Sequence, residues 1–260
     1  MTTRPFLKSL IALLLLCFFL SACFPEDPLP EPSPTPAPSE TPIPSPTIDW
    51  FPATATKTEP TPSPQAEQAT PENPERGELL IEDNFSDDSL WETLNNTDVK
   101  VSYEPEALSM VITGDKVEGI SLSQHVLPSE FYLTFTVETS MCSDNDQYGI
   151  IFWRHSSSGT FRFWANCSGQ LMVDRVLPDG TSRLVNWQSA RKLAPGAPSH
   201  NVFGILAKEG NVDFFVNDTY QFSIQTRPEL KGGLGIIART AGDKNLTIRF
   251  SELIISKPTP

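Results

Sequence analysis

Residues on which most catalytic and metal centres depend are scarce in this chain. Only three of its 260 residues are histidine and four are cysteine, which leaves little room for a zinc site. His125, His155 and His200 are scattered along the sequence and are interpreted as surface residues rather than bases. The Gly-x-Ser-x-Gly turn that presents a nucleophilic serine is missing as well. These absences argue against a zinc centre and against a serine hydrolase of that kind.

Positive charge and long apolar runs are also in short supply. The chain has 19 Lys and Arg against 32 Asp and Glu, a formal net charge of −13, and this acidity argues against nucleic acid as a partner. The apolar run Leu10–Leu20 has 11 residues, whereas a helix needs about 20 to cross ~30 Å of hydrocarbon. The run is therefore too short to be a membrane-spanning helix of the mature protein.

The first 22 residues are typical of a secretory signal peptide. Arg4 and Lys8 supply the positive start, and the apolar run follows. Leu20-Ser21-Ala22-Cys23 resembles the bacterial lipobox, which implies that Cys23 is acylated and becomes the new N-terminus. The expected partner is membrane lipid, and the expected location is the outer face of the cell membrane or the outer membrane. The alternative is an ordinary cleaved signal with a chance cysteine.

Residues 23–78 form the anchor cysteine and a disordered linker in this interpretation. Sixteen of the 25 prolines lie between Phe24 and Glu78, where fixed φ angles and missing N–H donors prevent both helix and sheet. As an extended chain of ~3.1 Å per residue, the linker reaches at most about 170 Å. It is expected to act as a spacer; a Pro-rich ligand for a partner domain is the alternative.

Residues 79–260 carry the foldable part of the chain, and their hydrophobic period is two rather than 3.6. Candidate strands alternate with turn signals such as Pro178-Asp179-Gly180 and Asn217-Asp218. This spacing predicts an all-β antiparallel two-sheet sandwich. The only helix that the sequence suggests is a short one near Ser86–Glu92.

Several motifs in this segment resemble concanavalin A-like (laminin G-like) lectin and glucanase jelly-roll domains. The similarity extends over nearly all of residues 79–260 and rests on Asp83–Ser86 with Trp91, Tyr148–Arg154, Thr160–Phe163, Gly169–Leu171, Val212–Asp218, Gly232–Ile236 and Phe250–Ile255. The resemblance implies two curved sheets with a concave side that often binds glycans. Members include lectins, hydrolases and adhesion modules, so the fold does not fix the function.

The carboxylate motif of the related retaining glucanases is absent. Those enzymes carry Glu-x-Asp-x-Glu on one strand, so that two carboxylates face the substrate, and this chain has no Glu-x-Asp. Its one Glu-x-Glu, Glu104-Pro105-Glu106, contains a proline that makes it a turn. Gly233-x-Gly235-x-x-Ala238 matches a dinucleotide fingerprint by letters, but no helix is expected after it. We therefore expect a non-catalytic domain without an organic cofactor.

One metal site and one disulfide remain as expectations. Asp144 and Asp146 are a weak Ca²⁺ candidate because they lie in an oxygen-rich loop; a solvated hairpin tip is the preferred interpretation. Cys142 and Cys167 are the only cysteines of the domain, and an exported domain favours a disulfide between them. Two buried free thiols are the alternative.

Aromatic and polar residues in the middle strands suggest a ligand face. Alternation places Arg162, Trp164 and Asn166 on one face of a strand, opposite Phe161 and Phe163. Flat rings can stack on sugars while polar groups bind hydroxyls; packing of the tryptophans in the core is the alternative. The candidate ligand-binding set is Trp153, Arg162, Trp164, Asn166, Arg175 and Trp187.

Three functions follow from these expectations. The first is a surface lipoprotein that presents a non-catalytic jelly-roll module and binds extracellular glycan or cell-envelope polymer. The second is a structural or protein-interaction domain without a sugar site, whose partner is a surface protein. The third is a glycoside-hydrolase-like enzyme with dispersed carboxylates. Exposure of the tryptophans in a groove distinguishes the first from the second.

Overall fold

A computed structural model describes residues 74–155, 159–227, 231–242 and 245–259. The predicted signal peptide, Cys23 and the linker up to residue 73 lie outside the described residues. Within the described part the chain forms strands and turns and has no helix. No helix long and apolar enough to cross a membrane occurs among these residues.

The strands follow one another with short connections. Their bounds are β1 Arg76–Asp83, β2 Leu94–Asn95, β3 Val99–Glu104, β4 Ala107–Ile112, β5 Glu118–Leu127, β6 Phe131–Met141, β7 Gln147–His155, β8 Gly159–Asn166, β9 Gln170–Leu177, β10 Gly180–Ser189, β11 Ser199–Lys208, β12 Asn211–Val216, β13 Thr219–Gln225, β14 Gly232–Arg239 and β15 Leu246–Pro258. The first strand begins at Arg76, inside the segment that the sequence assigned to the linker. The short helix expected near Ser86–Glu92 is absent: this stretch is turn, followed by an isolated bridge between Trp91 and Ser123.

Two antiparallel sheets build the domain, which confirms the predicted all-β sandwich. One has the order β13-β12-β11-β6-β15-β4-β3-β2, with β1 also paired to β15, and the other has the order β10-β9-β8-β7-β14-β5. Strands β7 to β10 are consecutive hairpins, so neighbouring strands there are also neighbours in sequence. This six-stranded sheet carries most of the residues that the sequence analysis selected.

Alternate side chains of the two sheets meet in one apolar core. On β8 these are Phe161, Phe163 and Ala165, all buried, as the period of two predicts. Phe163 packs on Phe214 of the other sheet, with ring centroids 4.7 Å apart. Burying one such side chain contributes roughly 1.5–3 kcal/mol. The core therefore fixes which face of β8 points away from it.

A buried carboxylate joins the end of β1 to β5. Asp83 accepts hydrogen bonds from Trp91 Nε1 at 2.7 Å and from the backbone N–H of Phe85 at 2.8 Å, and its Oδ2 lies 2.9 Å from His125 Nε2. Burial alone would raise the pKa of Asp83, but the contacts with His125, Trp91 and Phe85 outweigh it and hold this pKa below its ordinary value. The residues of the opening motif are thus bound to one another in the folded chain.

Candidate functional site

The six-stranded sheet has a second side, which points away from the core and which we call the outer face. A groove of about 300 Å³ lies on it. We call it the outer groove; it is lined by Glu118, Ile120, Leu122, Ile151, Arg154, Thr160, Arg162, Val176 and Ile237. These residues come from β5, β14, β7, β8 and β9, so the groove runs across the strands.

A small apolar cluster, separate from the main core, forms the floor of the outer face. Ile151, Trp164, Met172 and Ile237 are buried in it, and partly buried Trp187 packs against them. Sheet register explains the cluster, since Trp164 is the cross-strand neighbour of Met172 on one side and of Gly149 on the other.

Gly149, the neighbour of Trp164 on β7, has to be a glycine because β8 approaches it closely. A Cβ added at Gly149 would lie 1.9 Å from the backbone carbonyl oxygen of Phe163. The absence of a side chain there lets β7 and β8 pair at normal distance beside the large Trp164 ring.

An arginine–aspartate pair lies above this floor. Arg162 donates from Nε and Nη2 to the two carboxylate oxygens of Asp174, at 2.7 Å each. The two residues face each other across β8 and β9, and the Trp164 indole N–H approaches the same carboxylate at 3.4 Å. Such a two-point pair fixes the plane of the guanidinium group.

A second ion pair completes the arrangement around Trp164. Arg239 donates from Nε to Glu118 Oε2 at 3.1 Å, and Nη2 of the same arginine contacts that oxygen too. The guanidinium carbons of Arg162 and Arg239 lie 5.1 Å and 5.4 Å from the Trp164 ring centroid. The indole therefore supports two arginines by cation–π contact, and its faces are not open for a sugar ring.

Three of the predicted ligand residues lie on the outer face. Arg162 lines the groove, and Trp164 lies in its floor but has only 1 % of its surface exposed. Trp187 is partly exposed at the edge of the same cluster, on β10. Of the selected tryptophans, Trp187 is therefore the one with an accessible surface.

Of the other three, Trp153 and Arg175 lie on the core side, whereas Asn166 is closed to a ligand by burial. Trp153 has φ of +49° at an irregularity in β7, which turns its side chain into the core, where Nε1 donates to the Pro128 carbonyl at 2.8 Å. Asn166 is buried and bonded to Gln170. The Arg175 guanidinium lies 4.9 Å above the Phe161 ring and so belongs to the core side of β9. The inclusion of Trp153 and Arg175 in the candidate ligand-binding set is corrected by these positions.

Four charged residues that belong to the outer face by strand register were not predicted from the sequence: Asp174, Glu118, Arg239 and Arg183. Arg183 lies opposite Asp174 on β10 and is exposed. Alternation along β9 places Asp174 on the face opposite Val173, so a signal was present there. Its pairing with Arg162 follows only from the register of two strands.

The β6–β7 loop, where a Ca²⁺ site was considered, is held by its own hydrogen bonds. Asp146 Oδ2 accepts from the Ser143 N–H at 2.9 Å, and Oδ1 accepts from the Ala241 N–H at 2.8 Å. Asp146 thus uses both carboxylate oxygens in binding backbone. Among the residues that the structure describes, no cluster of three His, Cys, Asp or Glu side chains could hold a metal. The disulfide between Cys142 and Cys167, beside this loop, is confirmed.

A second cavity, of about 520 Å³, lies on the outer side of the nine-stranded sheet. Arg249 donates to Glu138 at 3.0 Å and also approaches Glu104 at 3.7 Å. The hydrogen bond from Arg249 is the main reason that the pKa of Glu138 lies below its ordinary value, and the nearby His200 adds to it. Among the described residues, no Trp, Tyr or Phe side chain lines this cavity, so it lacks the large apolar ring on which a sugar stacks.

Comparison with known proteins identifies the fold. No family model matches the sequence, and no curated protein matches it either. Among solved structures, a Bacillus subtilis protein of unknown function with a galectin-like fold has a TM-score of 0.54 at 12 % identity, covering 72 % of this chain and 99 % of that one. The Bacillus licheniformis β-glucanase has a TM-score of 0.54 at 8 % identity, covering 70 % and 99 %. A Bacteroides ovatus family 16 endo-glucanase has a TM-score of 0.53 at 8 % identity, covering 68 % and 100 %.

These structures place the chain in the class of concanavalin A-like jelly-roll folds, as the sequence motifs suggested. At such low identities the similarity concerns the fold and not the activity. In this chain the jelly roll comprises the described residues from 74 to 259, and the outer groove is its candidate site.

Proposed function

We propose that the domain is a non-catalytic glycan-binding module. The observation that carries this proposal is the outer face, where the partly exposed Trp187 packs on a buried apolar floor and the outer groove beside it is lined by fixed arginine and carboxylate groups. We further propose that the signal peptide directs export and is then removed, that lipid on Cys23 holds the module at the outer face of the membrane, and that residues 24–73 provide the reach.

The composition of the groove suits a carbohydrate. A pyranose ring has an apolar C–H face and a polar edge, and binding sites for small polar molecules combine apolar walls with a few oriented polar groups. Ile120 and Leu122 line the groove with apolar surface, Trp187 adds a partly exposed ring elsewhere on the outer face, and Arg162 is held at a fixed angle by Asp174. The fold is shared with glucanases and with a protein of galectin-like fold, which supports a glycan as the ligand.

The carboxylates of this face support binding rather than hydrolysis. A retaining glycosidase needs one carboxyl group that protonates the leaving group and a second that attacks the sugar. Asp174 is occupied by Arg162 and Trp164, and Glu118 is bound to Arg239. Each carboxylate therefore acts as an anchor for an arginine.

Binding of the form without the leader, residues 24–260, to a broad set of immobilised polysaccharides tests the proposal. Trp187→Ala should weaken every interaction that wild type makes by about tenfold or more, because ~1.4 kcal/mol of stacking and apolar contact is lost. Trp50→Ala, a tryptophan removed from the linker, is the matched control and should bind like wild type. Failure of wild type to bind any polysaccharide, or equal binding by Trp187→Ala, would favour the protein-interaction alternative. Release of reducing ends from a bound polymer would favour the enzyme.

A further inference from the structure

The outer face is positively charged although the chain is acidic. Residues 79–260 contain eight arginines, and the six-stranded sheet places four of them, Arg154, Arg162, Arg183 and Arg239, on this one face. Its strands place only two carboxylates there, Glu118 and Asp174. Counted over these strands alone, arginines exceed carboxylates by two on this face, although the chain has a net charge of −13.

The four arginines are not equivalent. Arg162 and Arg239 are neutralised by Asp174 and Glu118. Arg154 and Arg183 are exposed, and neither makes a side-chain hydrogen bond or ion pair within the described ranges. Two guanidinium groups without a partner in the described ranges therefore lie on the outer face, Arg154 in the lining of the groove and Arg183 farther across the sheet on β10.

Arg154 and Arg183 are separated along the direction in which a bound polysaccharide would cross the strands. Arg154 lies on β7 and Arg183 on β10, with β8 and β9 between them. Three strand spacings of 4.7–4.9 Å put the two strands about 14 Å apart. A polymer that crosses the strands would meet one guanidinium after the other, with Thr160 and Arg162 in the middle.

From this arrangement we propose that the outer groove selects acidic polysaccharides, which carry carboxylate or sulfate groups. The inference rests on the proposed function and narrows its ligand class. A guanidinium group presents a planar fork of N–H donors that binds such an oxyanion at two points. Because both arginines are exposed, their contribution is screened by salt beyond about 8 Å at physiological ionic strength, so the preference acts through direct contact.

Pairs of polymers with the same backbone and different charge test the inference. Polygalacturonate and its methyl ester differ only in the carboxylate, and heparin and chemically desulfated heparin differ in sulfate. Residues 24–260 should bind the acidic member of at least one pair about tenfold more tightly, and the advantage should shrink as salt is raised. Arg154→Gln and Arg183→Gln should each remove several-fold of that advantage, because each lowers affinity for the acidic member much more than affinity for the neutral member. Arg191→Gln, the same charge change outside this face, is the matched control.

Equal affinity for both members of every pair would overturn the inference. If Trp187→Ala still weakened that binding, the proposed glycan site would stand while the acidic preference failed. Binding of polyglutamate as tightly as the acidic polysaccharides would also overturn it, because charge alone would then suffice. If no polysaccharide of either kind were bound, the proposed function itself would fail.

Discussion

Removing the charge of Asp174 should destabilise the domain more than any conservative change at its surface. In Asp174→Asn the side chain keeps its size, but Arg162 loses its two-point carboxylate partner and keeps only the longer contact of 3.9 Å between its Nη1 and Glu118 Oε2. The side chains of Arg162 and Asp174 are only 12 % and 7 % exposed, and both oxygens of Asp174 accept hydrogen bonds from the guanidinium group. The variant therefore leaves a poorly hydrated positive charge above the Trp164 ring.

The burial of this ion pair sets the size of the expected loss in the free energy of unfolding. Breaking a buried ion pair by removing one partner costs about 3–5 kcal/mol, and the lower end applies because the pair borders a groove. For a domain of this size, ~3 kcal/mol lowers Tm by about 6–12 °C. Urea unfolding and calorimetry of residues 24–260 at pH 7 measure both quantities.

A double variant separates the ion pair from packing. Arg162→Met with Asp174→Leu removes both charges and keeps apolar volume, so it should recover at least half of the stability lost in Asp174→Asn. A loss below about 1 kcal/mol in Asp174→Asn would refute the reasoning, since exposed pairs contribute no more than that. A double variant as unstable as the single one would show that shape, rather than charge pairing, is what the site requires.

Three further predictions concern stability. Asp83→Asn should lower the free energy of unfolding by about 2 kcal/mol at pH 7, because Asn cannot accept all of the charged group's hydrogen bonds. Since folding lowers the pKa of Asp83, wild type should lose this contribution as pH falls from about 4 through the folded-state pKa. Urea titrations between pH 7 and pH 2 should therefore show that stability falls less steeply with acid in the variant than in wild type. Replacing Cys142 and Cys167 by serine should cost about 3.5 kcal/mol from the chain entropy of the loop, whose ends are 25 residues apart; an unchanged urea midpoint would contradict this. Gly149→Ala should cost roughly 1–3 kcal/mol by overpacking against β8, whereas Gly242→Ala, where a Cβ meets nothing within 4 Å, should change stability by less than about 0.5 kcal/mol.

Much of the fold was predictable because the strands alternate regularly. On β8 the period of two separates Phe161 and Phe163 from Arg162 and Trp164, and the structure has the same division. The disulfide was also predictable, from cysteine content and expected export alone. Both predictions rest on local properties of the sequence, and in short antiparallel hairpins these local properties decide which side chains face the core.

The site was harder to predict because it depends on register and on one local irregularity. Trp153 follows Ile151 by two residues, but its left-handed φ breaks the alternation and turns the ring into the core. Arg175 follows Val173 by two residues, so the same rule would have placed it inward, where it lies. The Arg162–Asp174 pair joins neighbouring strands, and its geometry emerges only when their register is known.

Mapping a bound oligosaccharide by NMR tests the central claim most directly. ¹⁵N-labelled protein, residues 24–260, would be titrated with a fragment of the polysaccharide that binds best. If the outer face binds the glycan, the amide shifts should cluster on the strands that form this face, at Ile120, Arg162, Asp174, Arg183 and Trp187. Shifts confined to the nine-stranded sheet around Glu138 and Arg249, or none at saturating ligand, would contradict it.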